Sequence, residues 1–278
     1  MSDLPNVEDL LLEPRQSALF VTLNRPKAKN ALSAGMVESL TKLCAYLSGT
    51  DRFRAVVLRG ADGAFCAGGD IKDFSKQLMA PEPAPGEPDI VVASNRVFGD
   101  LLLALDAIPQ VLIVAVEGPA FGGAMGLISV SDVAVAEAQA KFALSEASLG
   151  IPPAQIAPFV MRRIGLFQAR RLTLTASRFG VDEAERIGLV HQVVTGSTGV
   201  DAAINQILNA VGRCEPGAIA ASKAIYNRVS PLDPALLDQA AEDFAHCLRG
   251  AGKLGAVAFA QKQTPPWVED YAQTSIDV

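Results

Sequence analysis

Two stretches of the sequence consist mostly of glycine and other small residues, and each follows an apolar run. They are "GAFCAGGDI", Gly63 to Ile71, and "GPAFGGAMG", Gly118 to Gly126. Each is predicted to lead from a buried strand into a helix, whose first N–H groups lack partners and carry the positive end of the helix dipole. Facing each other, the two loops could aim the N–H groups of Gly69 and Gly123 at one oxygen, as an oxyanion hole does. Tight turns with close helix packing explain the glycines equally well, so the residues alone leave both interpretations open.

Other kinds of glycine-rich site are not indicated. The chain has no G-x-x-x-x-G-K-[ST] phosphate loop, no G-x-G-x-x-G dinucleotide motif and no G-x-S-x-G nucleophile elbow. His191 lies in an apolar run and His246 in the late helical part of the chain, where structural roles are expected. Nothing in the sequence therefore points to a Ser-His-Asp triad.

Composition and charge limit the class of protein and its partners. Half of the 278 residues are hydrophobic, which predicts a large core, and the net charge of −6 disfavours nucleic acid, which binds clustered Lys and Arg. The four cysteines are scattered, so we predict reduced thiols, no metal site and a cytoplasmic protein. The acidic amino terminus is unlike a signal peptide, and the longest apolar runs are too short to cross a membrane.

The elements that must position the two loops follow from the hydrophobic pattern. The predicted order is a strand at 17–24, a helix at 33–48 capped by Ser33, a strand at "RAVVLRG", a short helix from about Ile71, a helix at 89–107, a strand at "QVLIVAVEG", a helix from the second glycine stretch, and strands at "DVAVAEA" and "AKFAL". The segment "APEPAPGEP", Ala80 to Pro88, holds four prolines and is predicted to be a mobile loop or lid.

The last third of the chain has a different pattern. Four segments with helical spacing follow one another without an intervening strand, at 200–213, 217–228, 234–248 and 252–262. The sequence thus predicts an α/β protein with a β/α core over residues 1–199 and a helical region over residues 200–278.

Three segments resemble the signatures of the enoyl-CoA hydratase/isomerase superfamily, also called the crotonase superfamily. They are "LNRPKAKNAL", "FCAGGDIKDF" and "GPAFGGAMG", and the likeness extends from about Ser17 to Trp267. The resemblance implies a crotonase-like spiral of ββα units with a C-terminal helical trimerisation region, in a homotrimer or a dimer of trimers. It also implies acyl-CoA thioester substrates, as in fatty acid metabolism, and no cofactor, because coenzyme A is part of the substrate.

The resemblance assigns roles to individual residues. The N–H groups of Gly69 and Gly123 become the oxyanion hole. The residues expected to line coenzyme A are Ala67, Gly68, Gly69, Asp70, Ile71 and Lys72. Lys29 corresponds to a cation near the coenzyme A phosphate. Lys262, in "FAQKQTPPW", corresponds to a lysine that reaches the same ligand, in its own or in a neighbouring subunit; solvated surface charge is the alternative for both lysines.

Hydratases that this chain resembles use two glutamates, and only one of them is present. Glu146, in "FALSEASLG", matches one position and is expected to act as a general acid/base, with a surface ion pair as the alternative. The other position is Gly126. We expect the space of its missing side chain to be open and to accept a branch of the substrate.

A second departure from common hydratases lies in "LGIPPAQIAPFV", Leu149 to Val160, where a glycine-rich run is expected after the first proline. With Gly126, it makes the chain similar to hydratases of branched glutaconyl thioesters. Of these, the isohexenylglutaconyl-CoA type is more similar than the methylglutaconyl-CoA type. The resemblance therefore predicts hydration of a branched enoyl-CoA whose own carboxylate helps to hold the water.

Other functions remain open at this point. A Δ3,Δ2-enoyl-CoA isomerase can shuttle one proton with a single base, and would yield a shifted double bond instead of a β-hydroxyacyl product. A non-catalytic acyl-CoA-binding protein would bind acyl-CoA tightly without turnover, with Gly126 as a mark of lost activity.

Overall fold

The structure, a computed structural model, describes residues 4–269, and of Ile71 and Lys72 it describes the backbone only. The strands are β1 (Leu10–Arg15), β2 (Ala18–Leu23), β3 (Ala55–Gly60), β4 (Val111–Val116), β5 (Pro119–Phe121), β6 (Val133–Glu137), β7 (Lys141–Ala143), β8 (Arg178–Phe179) and β9 (Gln192–Val194). The helices are α1 (Ala34–Ser48), α2 (Ile71–Leu78), α3 (Ile90–Ala107), α4 (Gly123–Ser129), α5 (Ala157–Thr175), α6 (Val181–Arg186), α7 (Gly196–Val211), α8 (Pro216–Val229), α9 (Pro234–Cys247) and α10 (Lys253–Ala260).

The strands form two sheets. The larger sheet has the order β1-β2-β3-β4-β6-β9, and the smaller has the order β5-β7-β8. In the larger sheet β1 and β2 pair antiparallel, and the strands from β2 onward run parallel. Because neighbouring parallel strands end at the same edge, the glycine loops after β3 and β4 leave the sheet side by side. The predicted α/β class is confirmed.

The central strands are buried on both faces, which explains their continuous apolar sequences. On one face, Leu19 and Val56 belong to the main core, together with residues of α1, α3, α4 and α5. On the other face, Phe20 and Val57 pack against Val200 of α7. The strands thus alternate between two apolar layers instead of between core and water.

The helices predicted for the last third of the chain are all present, with small shifts at their ends. α7 begins at Gly196, so the predicted boundary between residues 199 and 200 falls inside a helix that covers the large sheet. α9 packs against α3, where Arg96 pairs with Asp238 at 2.7 Å. This region is therefore in close contact with the β/α core of its own chain.

Several local predictions are confirmed, and some elements were not predicted. The Oγ of Ser33 accepts a hydrogen bond from the N–H of Met36 at 3.2 Å, as an N-cap residue does. The proline-rich segment 80–88 contains neither helix nor strand. The strand β1 and the long helix α5, which is interrupted at Gly165, were not predicted.

The end of the helical region packs backbone to backbone against the turn that carries Glu146. A 3₁₀ turn spans Glu146–Leu149 and ends at Gly150. A Cβ atom at Gly255 of α10 would lie only 2.2 Å from the carbonyl oxygen of Leu149, and one at Gly150 would lie 2.9 Å from the carbonyl carbon of Ala251. The glycines therefore permit a contact that ties the C-terminal helix to this turn.

This contact predicts an unusual response to a glycine-to-alanine change in a helix. Alanine is normally better than glycine in a helix interior by about 1 kcal/mol. In Gly255→Ala, however, the new methyl group must displace the Leu149 backbone, and we expect the free energy of unfolding to fall by about 1–3 kcal/mol, as for other overpacked sites. Chemical denaturation of both proteins measures the difference.

Gly35→Ala is the matched control, because a Cβ there would make only ordinary contacts at 3.8 and 4.0 Å. Its stability should be unchanged or slightly higher. If Gly255→Ala were as stable as Gly35→Ala, α10 could not be in contact with the Glu146 turn as described.

Candidate active site

The two glycine-rich loops are joined by a short parallel bridge. The N–H of Cys66 donates to the carbonyl of Pro119 at 3.1 Å, and the N–H of Phe121 donates to the carbonyl of Cys66 at 3.1 Å. The loop after β3 and the loop after β4 are therefore held in a fixed register. The two loops therefore face each other, as the oxyanion-hole hypothesis requires.

Beyond the bridge the two backbones approach so closely that side chains are excluded. Gly68 has a φ of 96°, and a Cβ atom there would lie 2.9 Å from the carbonyl oxygen of Phe121. Gly122 has a φ of 54°, and a Cβ atom on it would lie 3.7 Å from the Cα of Gly68. Both positions require glycine for conformation, and Gly68 also requires it for space.

Each loop then presents a backbone donor. Within the described part of the chain, neither the N–H of Gly69 nor that of Gly123 donates a hydrogen bond. Gly69 is exposed, with open space where its Cβ would be, and Gly123 is the first residue of α4, where N–H groups are free. The structure brings the loops of these two donors together, and their role as an oxyanion hole stays a prediction.

Buried polar groups hold the first loop in place. The guanidinium group of Arg25 pairs with Asp70 at 2.7 Å and with Asp9 at 3.2 Å. The amide of the buried Asn30 donates to the carbonyls of Ala61 and Ala64 at 2.8 and 2.7 Å. These contacts attach the segment that follows β2 to both ends of the loop.

Cys66 adds a further contact inside the first loop. The N–H of Gly68 donates to its Sγ at 3.4 Å. Burial raises the pKa of the Cys66 thiol to about 12, so the thiol stays protonated and is not a nucleophile. Its place in the site is structural.

Glu146 lies against the second loop. Its Oε1 is 3.0 Å from the position that a Cβ atom of Gly122 would occupy, so a side chain at residue 122 would meet the carboxylate. The turn that carries Glu146 is close because the N–H of Gly122 donates to the carbonyl of Ala143, at the end of β7, at 3.0 Å. The alternative of a surface ion pair is wrong, because no cation pairs with this carboxylate among the described residues.

The surroundings of the Glu146 carboxyl favour its neutral form. The residue as a whole is partly exposed, but its Oε2 is buried and has no hydrogen-bond partner among the described residues. Burial raises the pKa of the Glu146 carboxyl from 4.5 to about 7, opposed only by a weaker backbone hydrogen bond. A carboxyl with this pKa can both accept and donate a proton near neutral pH.

The structure corrects the expectation for Gly126. A Cβ atom at this position would lie 2.7 Å from the Cγ2 of Ile156 and 3.0 Å from the Cδ1 of Leu102. The space of the missing glutamate is therefore filled and not open, and a branch of a substrate cannot enter it. The physical reason is that Ile156, which lies between the prolines of the 149–160 segment, packs directly on the glycine.

The residues predicted to bind coenzyme A lie in different settings. Lys29 is exposed beside the first loop, where its carbonyl accepts from the N–H of Ala67 at 3.0 Å. Gly68 and Asp70 are buried, Asp70 in its ion pair with Arg25. Lys262 is exposed after α10, and the described residues give its side chain no contact with the loops. The side chains of Ile71 and Lys72 lie outside the described part of the structure, so all these ligand contacts stay predictions.

His191 has a structural role, and the described residues contain no metal-binding cluster. The Nδ1 of His191 accepts a hydrogen bond from the N–H of Ala134 at 3.0 Å, and burial lowers its pKa, as expected of a structural histidine. Residues 4–269 contain no group of three or more His, Cys, Asp or Glu side chains that could hold a metal ion. Within the same residues, no helix is long and apolar enough to cross a membrane.

Sequence reasoning missed the residues that support the site. The roles of Arg25, Asn30 and Cys66 depend on contacts between segments that are distant in the chain, and no local sequence pattern indicates such contacts. Ile156 did give a signal, since "PAQIAPF" departs from the expected glycine-rich run. That signal showed a difference without showing what the isoleucine touches.

Comparison with known proteins assigns the chain to a family. A model of the enoyl-CoA hydratase/isomerase family matches residues 13–270. The mevalonyl-coenzyme A hydratase SIDH of Beauveria bassiana is 31% identical over 261 residues, which cover 91% of this chain and 92% of that protein. The protein therefore belongs to the enoyl-CoA hydratase/isomerase family.

Solved structures agree with this assignment. Pseudomonas aeruginosa AtuE is 49% identical, with a TM-score of 0.76, over 94% of this chain and 100% of that one. An enoyl-CoA hydratase/isomerase from Marinobacter aquaeolei is 43% identical, with a TM-score of 0.77, over 94% of this chain and 99% of that one. The predicted crotonase-like fold is thereby confirmed.

The raised pKa of Glu146 predicts a pH-dependent gain in stability for Glu146→Gln. The folded protein binds this proton more tightly than the unfolded chain, so the wild type loses stability as pH rises from about 4.5 through about 7. The glutamine variant lacks this loss. Between pH 4 and pH 8 its free energy of unfolding should therefore rise relative to that of the wild type, by about 1.4 kcal/mol per unit of pKa shift. Unfolding free energies at both pH values measure the gain.

Glu38→Gln serves as the control, because Glu38 is exposed and a hydrogen bond from Lys42 lowers its pKa. It should show no gain at high pH. An equal pH dependence for the two variants would mean that Glu146 is not protonated more readily in the folded state.

Proposed function

We propose that this protein hydrates the α,β double bond of an acyl-CoA thioester, with the N–H groups of Gly69 and Gly123 as oxyanion hole and Glu146 as general acid/base. One observation carries the proposal: a carboxyl group with a buried oxygen that has no partner among the described residues lies at the junction of two glycine loops, each of which has a backbone N–H that donates no hydrogen bond within the described residues. A polarised thioester beside a proton acceptor of suitable pKa is what this reaction requires.

The two loops would act on the carbonyl end of the substrate. When water adds to Cβ, electrons of the double bond move toward the thioester oxygen, which becomes enolate-like. Two preorganised N–H donors stabilise that charge, and removal of one such donor typically slows a reaction by about 10²–10³-fold. The close contact between the loops would keep both donors aimed at one atom without reorganisation.

Glu146 would act on the other end of the reacting bond. As a carboxylate it accepts a proton from water while the water oxygen bonds to Cβ. As a carboxylic acid it then gives a proton to Cα as the enolate collapses, which returns the enzyme to its first state and adds one water to the double bond. A pKa of about 7 makes both directions of transfer accessible near neutral pH.

Coenzyme A would bind along the first loop, next to Gly69. Ala67, the backbone from residue 68 to 72 and the exposed Lys29 support this placement, because they flank the exposed donor. The substrate carries the coenzyme A, and no separate cofactor or metal is required. A helix N-terminus at α2 would add a favourable dipole for a phosphate group.

The helical region of residues 200–278 would also form the contacts of a homotrimer or a dimer of trimers. Exposed apolar side chains support this part of the proposal, and on α8 and α10 they are Ile225, Tyr226, Val229, Leu254, Val257 and Phe259. Lys262 follows α10 directly, so such an assembly would bring it toward coenzyme A of a neighbouring subunit.

A branched substrate of the glutaconyl type is the finer proposal. It is supported by the likeness of the "PAQIAPF" segment and Gly126 to hydratases of such thioesters. It is also supported by the relative named mevalonyl-coenzyme A hydratase, since a mevalonyl group carries a methyl branch on Cβ. Because the space at Gly126 is filled, we place the branch beside Ile156 and Leu102 and not in the position of a glutamate side chain.

An isomerase is the second candidate, favoured by one observation. The chain has no acid at residue 126, and a Δ3,Δ2-enoyl-CoA isomerase can use Glu146 alone to move a proton between two carbons. A non-catalytic acyl-CoA-binding protein is disfavoured, because binding alone would not require, beside the two loops, a carboxyl group whose buried oxygen has no partner among the described residues.

Turnover of a substrate panel separates these functions. The purified protein is incubated with crotonyl-, 3-methylglutaconyl-, isohexenylglutaconyl- and 3-enoyl-CoA thioesters, and the products are identified by mass and NMR. We expect a β-hydroxyacyl-CoA product, formed fastest from a branched thioester. Glu146→Gln should lower kcat by about 10²–10⁴-fold, as loss of a general acid/base does, with little change in acyl-CoA affinity.

Three outcomes would contradict the proposal. A shifted double bond without water addition would favour the isomerase, and binding without turnover would favour the non-catalytic protein. A glutamine variant that keeps most of its activity would remove Glu146 from the mechanism. Glu38→Gln, which changes an exposed glutamate on α1, controls for general effects of the substitution.

A further inference from the structure

Gly126 and Ile156 fit each other as a pair. The Cγ2 of Ile156 stands 2.7 Å from where a Cβ of Gly126 would be, closer than a real Cβ tolerates, and Leu102 stands at 3.0 Å. All three residues are almost fully buried. Two positions therefore differ together from the family pattern. Residue 126 is a glycine instead of a glutamate, and an isoleucine from another segment occupies the place of the acidic side chain.

The neighbouring residue anchors Ile156 in this position. The amide nitrogen of Gln155 donates to the Oδ1 of Asn95, on α3, at 3.0 Å and to the carbonyl of Leu237, on α9, at 2.9 Å. A Cβ atom at Gly99 of α3 would lie 2.0 Å from the Gln155 Oε1, so this glycine lets the amide pack against the helix. Because Gln155 is hydrogen-bonded to two helices, the backbone at Ile156 has little freedom to move away from Gly126.

Polarity is the chemical consequence of this difference. A carboxylate at residue 126 could accept a hydrogen bond from a water molecule next to the double bond, whereas an isoleucine methyl group can only make an apolar contact. Gly126 is on the same short helix, α4, that begins with the proposed oxyanion donor Gly123. The apolar side chains of Ile156 and Leu102 thus pack against the helix that begins with the proposed oxyanion donor.

We propose that Ile156 is a specificity-determining residue, whose side chain takes the place of a second carboxylate and contacts an apolar branch on the Cβ of the acyl group. This inference rests on the proposed function and adds the residue that selects the substrate. An apolar wall favours a methyl branch, because a linear chain leaves part of that wall without contact. One methyl group of a substrate is worth about 10–200-fold in a well-fitted apolar pocket.

The test compares 3-methylcrotonyl-CoA with crotonyl-CoA, which differ by one methyl group on Cβ. The quantity measured is the ratio of their kcat/KM values, so that the different intrinsic reactivities cancel between variants. Ile156→Ala should lower the ratio by about tenfold, because the methyl branch loses its contact. Ile156→Val keeps Cγ2 and should retain most of the ratio. Ile164→Ala, which removes a buried isoleucine of α5, should leave the ratio unchanged.

The pairing itself is tested by a double-mutant cycle. Gly126→Glu alone should lower the Tm strongly, because its side chain meets Ile156 and Leu102. Gly126→Glu combined with Ile156→Ala should have a higher Tm than the sum of the two single changes predicts, and should hydrate crotonyl-CoA faster than either single variant. Additive Tm changes would overturn the steric pairing of the two residues.

The outcomes separate this inference from the function on which it rests. A wild type that hydrates neither of these thioesters nor the glutaconyl thioesters overturns the proposed function. A wild type that hydrates both, with the same ratio in Ile156→Ala, overturns the role of Ile156 and leaves the hydratase in place.

Discussion

The site depends on one constraint, the close approach of two backbone segments between Gly68 and Phe121. At that distance no side chain fits between the loops, and the left-handed conformations of Gly68 and Gly122 are open to glycine at little cost. The parallel order of β3 and β4 brings the loops to one edge of the sheet, and the bridge from Cys66 to its partners fixes their register. The donors, the glutamate and the expected substrate path all follow from this contact.

A second constraint is the isolation of Glu146. Buried carboxylates normally have cations or several N–H donors, and here burial acts almost unopposed, which raises the pKa. The turn that bears the residue packs against Gly255 of α10, so the helical region helps to fix the position of this carboxyl group. The second acid of the family pattern is absent because residue 126 is a glycine, and Ile156 and Leu102 fill the space beside it. The outcome is one carboxyl with a tuned pKa instead of a pair.

Much of this arrangement could be predicted from the sequence, because it depends on local signals. The glycine stretches, the cap at Ser33 and the proline-rich segment each have a local physical cause, and all were placed correctly. The strand β1 was missed because "LLLEPR" contains a proline and little alternation. The space at Gly126 was wrongly expected to be open, since a glycine in sequence reveals a missing side chain but not the distant residue that packs on it. Ile156 is 30 positions away, and only the fold brings it there.

The central claim is that the two loops polarise the carbonyl of a bound thioester, and its vibration reports this directly. Butyryl-CoA labelled with ¹³C at the thioester carbonyl cannot be hydrated and can be bound to the wild-type protein for infrared difference spectroscopy. Two strong backbone donors should lower the carbonyl stretching frequency below its value in water, because they draw electrons toward oxygen. A carbonyl frequency equal to or above the value in water would contradict an oxyanion hole at Gly69 and Gly123.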